Sequence, residues 1–131
     1  MQTTSTTTTL EPAAQRTAAG NVLCIDADDE SRHLIAELLY EHEVDFALTA
    51  DDAVQLAHCR SYDLMFVDPA VPGYDTIDLL TELRLFQRRV PIVICTAGAT
   101  QCTEGDNTPT QLAKPLSAAA IRETALRLLG A

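Results

Sequence analysis

Basic side chains are scarce in this sequence: 9 Lys and Arg stand against 19 Asp and Glu, a formal charge of -10 over 131 residues. That balance opposes non-specific attraction to nucleic acid and to anionic membrane surfaces, so direct DNA binding and membrane association are not expected. Long apolar runs are missing as well. None approaches the roughly 18 residues of a membrane span, and the N-terminus is Thr-rich rather than basic and then apolar, as a signal peptide would be. The expected location is cytoplasmic. The 4 cysteines, Cys24, Cys59, Cys95 and Cys102, form no CxxC pair, and Cys24 and Cys95 lie inside apolar runs where a thiol acts as a small buried hydrophobe. His33, His42 and His58 have no second ligand at helical or strand spacing, so no zinc site is expected at them.

What is present is one domain's worth of core, since 47% of the residues are apolar. Residues 1–20 are rich in Thr and Ala and hold too few large apolar groups to offset the entropy of ordering them, so a disordered tail is expected there. From Asn21 to Ala131 short strand-like runs alternate with longer helix-like ones, the pattern of βαβ units and a parallel sheet covered on both faces.

Val22–Ile25 is a continuous apolar run, as a strand buried on both faces should be, and Leu34, Ile35, Leu38 and Leu39 follow at helical spacing. Val44–Thr49 alternates as a weaker strand, Asp51 opens an Ala-rich helix to about Cys59, and Asp63–Val67 makes a third strand. Ile77, Leu80, Leu83 and Leu85 lie in a helical stretch with Leu79 and Phe86 alongside, and Val90–Cys95 is a fourth strand. Gln111–Ala113 is a short candidate fifth strand. Ser117 is placed to cap a last helix whose Ile121, Ala125, Leu128 and Leu129 share a face. The stretch Gly98–Thr110 is a loop or frayed turn, with two glycines, a proline and almost no large apolar group.

Ligands of an open parallel sheet gather at the carboxyl ends of its strands. Those ends carry Asp26, Asp68, Thr96 and Lys114: two carboxylates, a hydroxyl and an ammonium, distant in sequence and expected along one edge. With them the chain resembles the receiver domains of two-component response regulators over nearly all of residues 21–131. DLMFVDPAVPGYD is similar to the family's phosphoacceptor segment, with the acceptor at Asp68, a Pro72–Gly73 turn and a following Asp75. PIVICTA is similar to its fourth strand and ends in Thr96 and Ala97, while Lys114–Pro115 matches the acceptor-bridging lysine and its usually cis proline. Arg32 stands where the family commonly has an arginine.

The resemblance implies a flavodoxin-like, doubly wound sheet of five parallel strands in the order 2-1-3-4-5. It also implies phosphorylation of Asp68 by a histidine kinase or histidine phosphotransfer protein, and an output through a protein partner that the sequence does not name. The cofactor implied is Mg2+, held by Asp26, Asp68 and the Ala70 backbone oxygen. Thr96 and Lys114 would assist the transfer, and the N–H groups of Ala70 and Ala97 would contact phosphoryl oxygens. No enzymatic turnover is expected beyond the domain's own phosphorylation and dephosphorylation. A carboxylate nucleophile meeting a phosphoryl group needs cations between two anions, and magnesium suits carboxylate and phosphate oxygens.

Three features depart from the family pattern. Ala27 stands where relatives carry the second of two adjacent acids, a direct metal ligand, so weaker metal binding is expected unless Asp28, or after it Asp29, substitutes. Without a cation, Asp26, Asp28 and Asp68 should repel one another and raise their pKa values. Gln111 occupies the switch position that partners Thr96 and is normally aromatic, and the stretch from Thr96 to Lys114 is shorter than usual, which leaves the family's fourth helix short or replaced by a loop. The leading expectation is a stand-alone receiver that signals by phosphorylation-dependent binding or serves as a phosphate sink. A pseudo-receiver that binds partners without phosphorylation is the alternative. More remotely, VLCIDAD resembles the opening motif of haloacid-dehalogenase-type phosphatases, with Asp26 as nucleophile and Asp28 as general acid.

Overall fold

The computed structural model describes residues 20–97 and 110–129. Along the chain run β1 (Asn21–Ile25), α1 (Asp29–Leu38), β2 (Glu43–Ala47), α2 (Ala50–Cys59), β3 (Leu64–Val67), α3 (Thr76–Phe86), β4 (Ile92–Thr96), β5 (Thr110–Ala113) and α4 (Ala118–Leu129). The strands form one sheet of 5 in the order β2-β1-β3-β4-β5, and every neighbouring pair is parallel. This is the flavodoxin-like, doubly wound arrangement that the sequence leads one to expect.

The period of two in a strand sends successive side chains to opposite faces, and here both faces are covered. Leu23, Ile25, Met65, Val67, Ile92 and Ile94 pack with Ala50, Ala53, Ala57, Leu79 and Leu83 of α2 and α3. Val22, Cys24, Leu64, Phe66, Val93 and Cys95 pack with Ile35, Leu39, Ile121 and Ala125 on the side of α1 and α4. Completely burying a side chain such as Phe66 or Leu23 stabilises by about 1.5–3 kcal/mol relative to leaving it exposed. Central β1 and β3 are therefore continuous apolar runs, whereas edge strand β2, EVDFA, is only partly buried.

Helix starts follow their capping side chains. Thr49 Oγ1 accepts from Asp52 N at 3.1 Å, Asp75 Oδ1 from Asp78 N at 3.0 Å, and Ser117 Oγ from Ala120 N at 3.0 Å. The Thr49 cap explains why β2 stops at Ala47 rather than reaching Thr49, and why α2 opens at Ala50 rather than Asp51. Strand β4 begins at Ile92 instead of Val90, since Pro91 has no N–H for the ladder although its carbonyl accepts from Met65 N. The Pro72–Gly73 turn is present. Gly73 has φ +120°, a backbone conformation that favours glycine, and a Cβ there would be crowded at 3.3 Å from Ala50 Cβ.

The apolar face expected for α3 needs correction. Ile77 and Leu85 are exposed, as is Phe86, while Leu79 and Leu83 are the buried pair with Leu80 partly covered. The stretch is apolar nearly all round, and only the i, i+4 pair that meets α2 and the sheet decides the face. Gly20 likewise belongs to the fold rather than to the tail, because its N–H donates to His42 Nδ1 at 2.9 Å and its carbonyl accepts from Glu43 N. The remaining tail residues, Cys102 and residues 98–109 of the loop expected over 98–110 lie outside the described residues, while Thr110, the last residue of that expected loop, instead opens β5 opposite Val93. Among the described residues no helix is long and apolar enough to cross a membrane.

Candidate functional site

The parallel ladder continues one residue past three strand ends, and this sets the site. Asp26 N donates to Ala47 O, Asp68 N to Ile25 O, and Lys114 N to Thr96 O, at 2.9, 2.8 and 3.1 Å. Asp26, Asp68, Thr96 and Lys114 are thereby fixed along the carboxyl edge of the sheet, as the strand-end reading requires. The peptide bond from Lys114 to Pro115 is cis.

Lys114 is the hub. Its Nζ lies 2.8 Å from Asp68 Oδ2, 3.0 and 2.9 Å from the two Asp26 oxygens, and 3.6 Å from Asp28 Oδ2. The Asp26 side chain is 3% exposed, against 13% for Asp68 and 45% for Asp28, so the site opens outward from Asp26. Asp68 Oδ1 accepts from the Ala70 backbone N–H at 2.9 Å, so both oxygens of this carboxylate have donors. Ala70 and Ala97 are exposed and leave the rim open.

One ammonium faces three carboxylates, and the charges respond accordingly. Burial lifts the Asp26 carboxyl above its ordinary value, against the opposing hydrogen bonds from Asp28 N and Lys114, and the Asp68 charge adds a smaller upward push. Burial disfavours the charge on Lys114, but hydrogen bonds to Asp68 and Asp26 outweigh it and raise its pKa. The expectation that crowding raises these carboxylates together is corrected at Asp28. Its pKa is lowered, first by the hydrogen bond from Ser31 Oγ, with the Lys114 charge contributing. Cys24 and Cys95, on the core side of the site, are buried thiols raised by desolvation, Cys95 to about 12. They act as the small hydrophobes that their apolar runs suggest.

Other expected site residues are placed as follows. Arg32 Nη1 donates to the Asp26 carbonyl at 3.3 Å and its guanidinium pairs with Asp29. Asp29 is 87% exposed and pairs with Arg32. Thr96 is half-buried at the end of β4. Gln111 does not join the carboxylates. It stands opposite Ile94, two ladder positions below the Thr96–Ala113 pair, and its Oε1 is buried without a hydrogen-bond partner among the described residues. Ser31 is the site residue that the sequence reading missed. It is 4% exposed and donates to Asp28 Oδ2 at 2.7 Å. The signal for it was the spacing Asp28-x-x-Ser31, in which an N-cap residue and the third helical residue exchange a hydrogen bond.

Among the described residues, no group of three or more His, Cys, Asp or Glu side chains converges tightly enough to hold a metal ion. The acids are arranged around the Lys114 ammonium instead, although their oxygens are the hard donors that magnesium prefers.

A family profile described as the response regulator receiver domain matches residues 22–125. The chain belongs to that family. The receiver domain of a sensor histidine kinase from Pseudomonas aeruginosa PAO1, solved with a magnesium ion coordinated in its active site cleft, is 26% identical to this receiver. That comparison covers 86% of this chain and 99% of the other, with a TM-score of 0.74. A Francisella response regulator receiver domain is 25% identical over 85% of this chain and 97% of its own, with a TM-score of 0.73. A Burkholderia pseudomallei response regulator with a phosphorylated aspartic acid, calcium ion and citrate is also 25% identical. It covers 83% of this receiver and 65% of its own chain, with a TM-score of 0.67. No curated protein sequence matches the chain.

Proposed function

We propose that this receiver accepts a phosphoryl group on Asp68 from a histidine kinase or histidine phosphotransfer protein. The modified state then alters binding to a downstream protein, or the domain serves as a phosphate sink. The observation that carries the proposal is the Asp68 carboxylate itself. It stands at the end of a buried strand, takes hydrogen bonds from Ala70 N and Lys114 Nζ, and remains partly exposed beneath an open rim.

An Asp68 oxygen attacks phosphorus, the bond from phosphorus to the donor nitrogen breaks, and the leaving imidazole takes up a proton. Lys114 holds positive charge beside the acceptor throughout, because its raised pKa keeps it protonated at neutral pH. The hydrogen bond that Ala70 N–H or Lys114 gives the attacked oxygen is redirected to a phosphoryl oxygen, and Thr96 and Ala97 N–H complete the set of contacts on that group. Asp26, Asp68 and the Ala70 backbone oxygen would hold magnesium, which when bound neutralises charge shared by carboxylate and phosphoryl oxygens. The magnesium in the Pseudomonas receiver and the phosphorylated aspartic acid in the Burkholderia regulator support this reading. The domain's chemistry is confined to its own phosphorylation and dephosphorylation, in the cytoplasm. Thr96 and Gln111 are the proposed conformational readout.

The test is intact-mass measurement after treatment with a small phosphoramidate or acyl-phosphate donor, with and without magnesium. One added phosphoryl group that needs Asp68 supports the reading.

A second reading, the phosphorylation-independent pseudo-receiver, is favoured by one feature: Lys114 already bridges Asp26 and Asp68 where Ala27 supplies no acid. It is distinguished by a melting temperature that magnesium leaves unchanged, since a ligand that binds the folded state raises it.

A further inference from the structure

No Asp or Glu occurs in residues 53–62 or 83–97, and the loops that leave α2 and α3 within those stretches meet at the end of the sheet opposite Asp68. Gln87 Nε2 holds them together by donating to Ala57 O and Arg60 O, and the rings of His58 and Phe86 lie 4.5 Å apart. Four of the chain's 9 basic side chains, Arg60, Arg84, Arg88 and Arg89, are thereby gathered at one end of a protein whose formal charge is -10.

The four arginines are engaged differently. Arg60 Nη1 donates to Asp45 Oδ2 at 2.7 Å, and the Tyr62 hydroxyl donates to the same oxygen, so that acid is already held. Arg84 Nη1 donates to the carbonyls of Gln87, Arg88 and Val90 at 3.2, 3.4 and 2.6 Å, which fixes the turn after α3. Arg88 and Arg89 are exposed on that fixed turn and form no ion pair among the described residues. With Ser61, Tyr62 and Phe86 they line an open cleft of about 490 Å³. Phe86 is 40% exposed, which sets a large apolar group beside two guanidinium groups that have no countercharge.

We propose that this cleft docks an acidic segment of a partner protein, whose carboxylates pair with Arg88 and Arg89 while an apolar side chain packs on Phe86. A guanidinium fork matches a carboxylate, and arginine and aromatic side chains are the groups on which interfaces concentrate their binding energy. Inorganic anions fit less well, because α2 and α3 present their C-terminal ends here rather than free N–H groups. Nucleic acid also fits less well, since its dense phosphate charge meets the acidic excess of the whole chain, whereas a few carboxylates need only the local field. The acids of the phosphorylation site do not cancel that field: Asp68 follows Tyr62 along β3 by roughly 20 Å, beyond the screening length of roughly 8 Å at physiological salt. Every group that forms the cleft is in place with Asp68 unmodified, so docking does not require phosphorylation and is separate from the output proposed above.

The experiment is an NMR titration of the whole isotope-labelled chain with a synthetic peptide in which Glu residues flank a central Leu-Phe pair, against the same peptide with Gln or Lys in place of Glu. The Glu peptide should shift the amides of residues 58–62 and 85–90 and bind more weakly as salt rises, and the Gln and Lys peptides should bind about tenfold more weakly than it does. Arg88→Ala combined with Arg89→Ala should also weaken binding about tenfold, and Phe86→Ala about fivefold. The double arginine variant should keep its melting temperature and its phosphorylation, since neither side chain has a partner to lose. Arg88→Glu combined with Arg89→Glu should turn the preference toward the Lys peptide, and Asp68→Asn should bind the Glu peptide as wild type does. Absence of these amide shifts overturns the proposal, as does wild-type affinity in the double alanine variant or for the Gln peptide. Shifts of the same amides that grow with protein concentration and need no peptide would assign the face to a second copy of this chain, and an equal response to a single-stranded oligonucleotide would assign it to nucleic acid; either result overturns the acidic-protein reading. Binding lost in Asp68→Asn overturns its independence from phosphorylation.

Discussion

Lys114 Nζ lies 3.0 Å from one oxygen of Asp26 and 2.9 Å from the other, although 88 positions separate the two residues. The contact joins the first strand end to the last across the sheet. It also places a nearly buried carboxylate, 3% exposed, against an ammonium that is 11% exposed. Asp68 shares the same ammonium at 2.8 Å, so one lysine links the ends of β1, β3 and β5.

Removing that cation should be costly. Lys114→Ala leaves Asp26 buried beside Asp68 with no countercharge, and breaking such a pair from one side typically costs 3–5 kcal/mol. A loss of about 3 kcal/mol is expected at neutral pH, read from urea unfolding. The loss should shrink in acid as the carboxyls protonate. A variant as stable as wild type at neutral pH would contradict the role given to Lys114.

The carboxylates make opposite contributions to the pH dependence. Burial raises the folded pKa of Asp26 above its unfolded value near 3.8, so the folded chain binds this proton more tightly. Its contribution to stability therefore grows as pH falls through the raised value and is complete below 3.8. Asp28, lowered by the Ser31 hydrogen bond, contributes above 3.8 and loses that contribution as pH falls through its folded value. Asp26→Asn removes only the first effect. Wild type should thus gain on Asp26→Asn as pH falls from neutrality toward 3.8, measured as the difference in urea midpoints. A difference that stays constant across that range would contradict the assignment.

At the opposite end of the sheet, Gln87 ties α2 and α3 to the start of β3. Its Nε2 donates to Ala57 O and Arg60 O at 2.7 and 2.6 Å, and its Oε1 accepts from Tyr62 N at 3.2 Å. Gln87→Leu leaves three backbone groups without this partner, and an unsatisfied buried group costs about 1–3 kcal/mol. A net loss of about 3 kcal/mol is expected, with phosphorylation of Asp68 unchanged. Equal unfolding midpoints for the two proteins would show that these groups find other partners.

The sheet was legible because its central strands are buried on both faces, which makes Val22–Ile25 and Leu64–Val67 unbroken apolar runs. Their polar ends then located Asp26, Asp68, Thr96 and Lys114 along one edge. Helix α3 was less legible: with Ile77, Leu79, Leu80, Leu83, Leu85 and Phe86 all apolar, periodicity selects no face, and tertiary contact with α2 selects Leu79 and Leu83. Gln87 was not legible as a buried residue, because its burial depends on an acceptor 30 positions away, whereas Ser31 left only the local Asp28-x-x-Ser31 spacing as a signal. The direction of the Asp28 carboxylate was beyond sequence. Composition placed four acids near α1, but only the Ser31 hydroxyl and the Asp26 carboxylate show which one turns inward.

The central claim is that Asp68 is the phosphoacceptor, and intact mass after incubation with a small phosphodonor and saturating magnesium tests it most directly. Wild type should gain one phosphoryl group and Asp68→Asn none, with the gain lost on chelation. An unmodified wild type, or an Asp68→Asn variant that still gains the group, would contradict it.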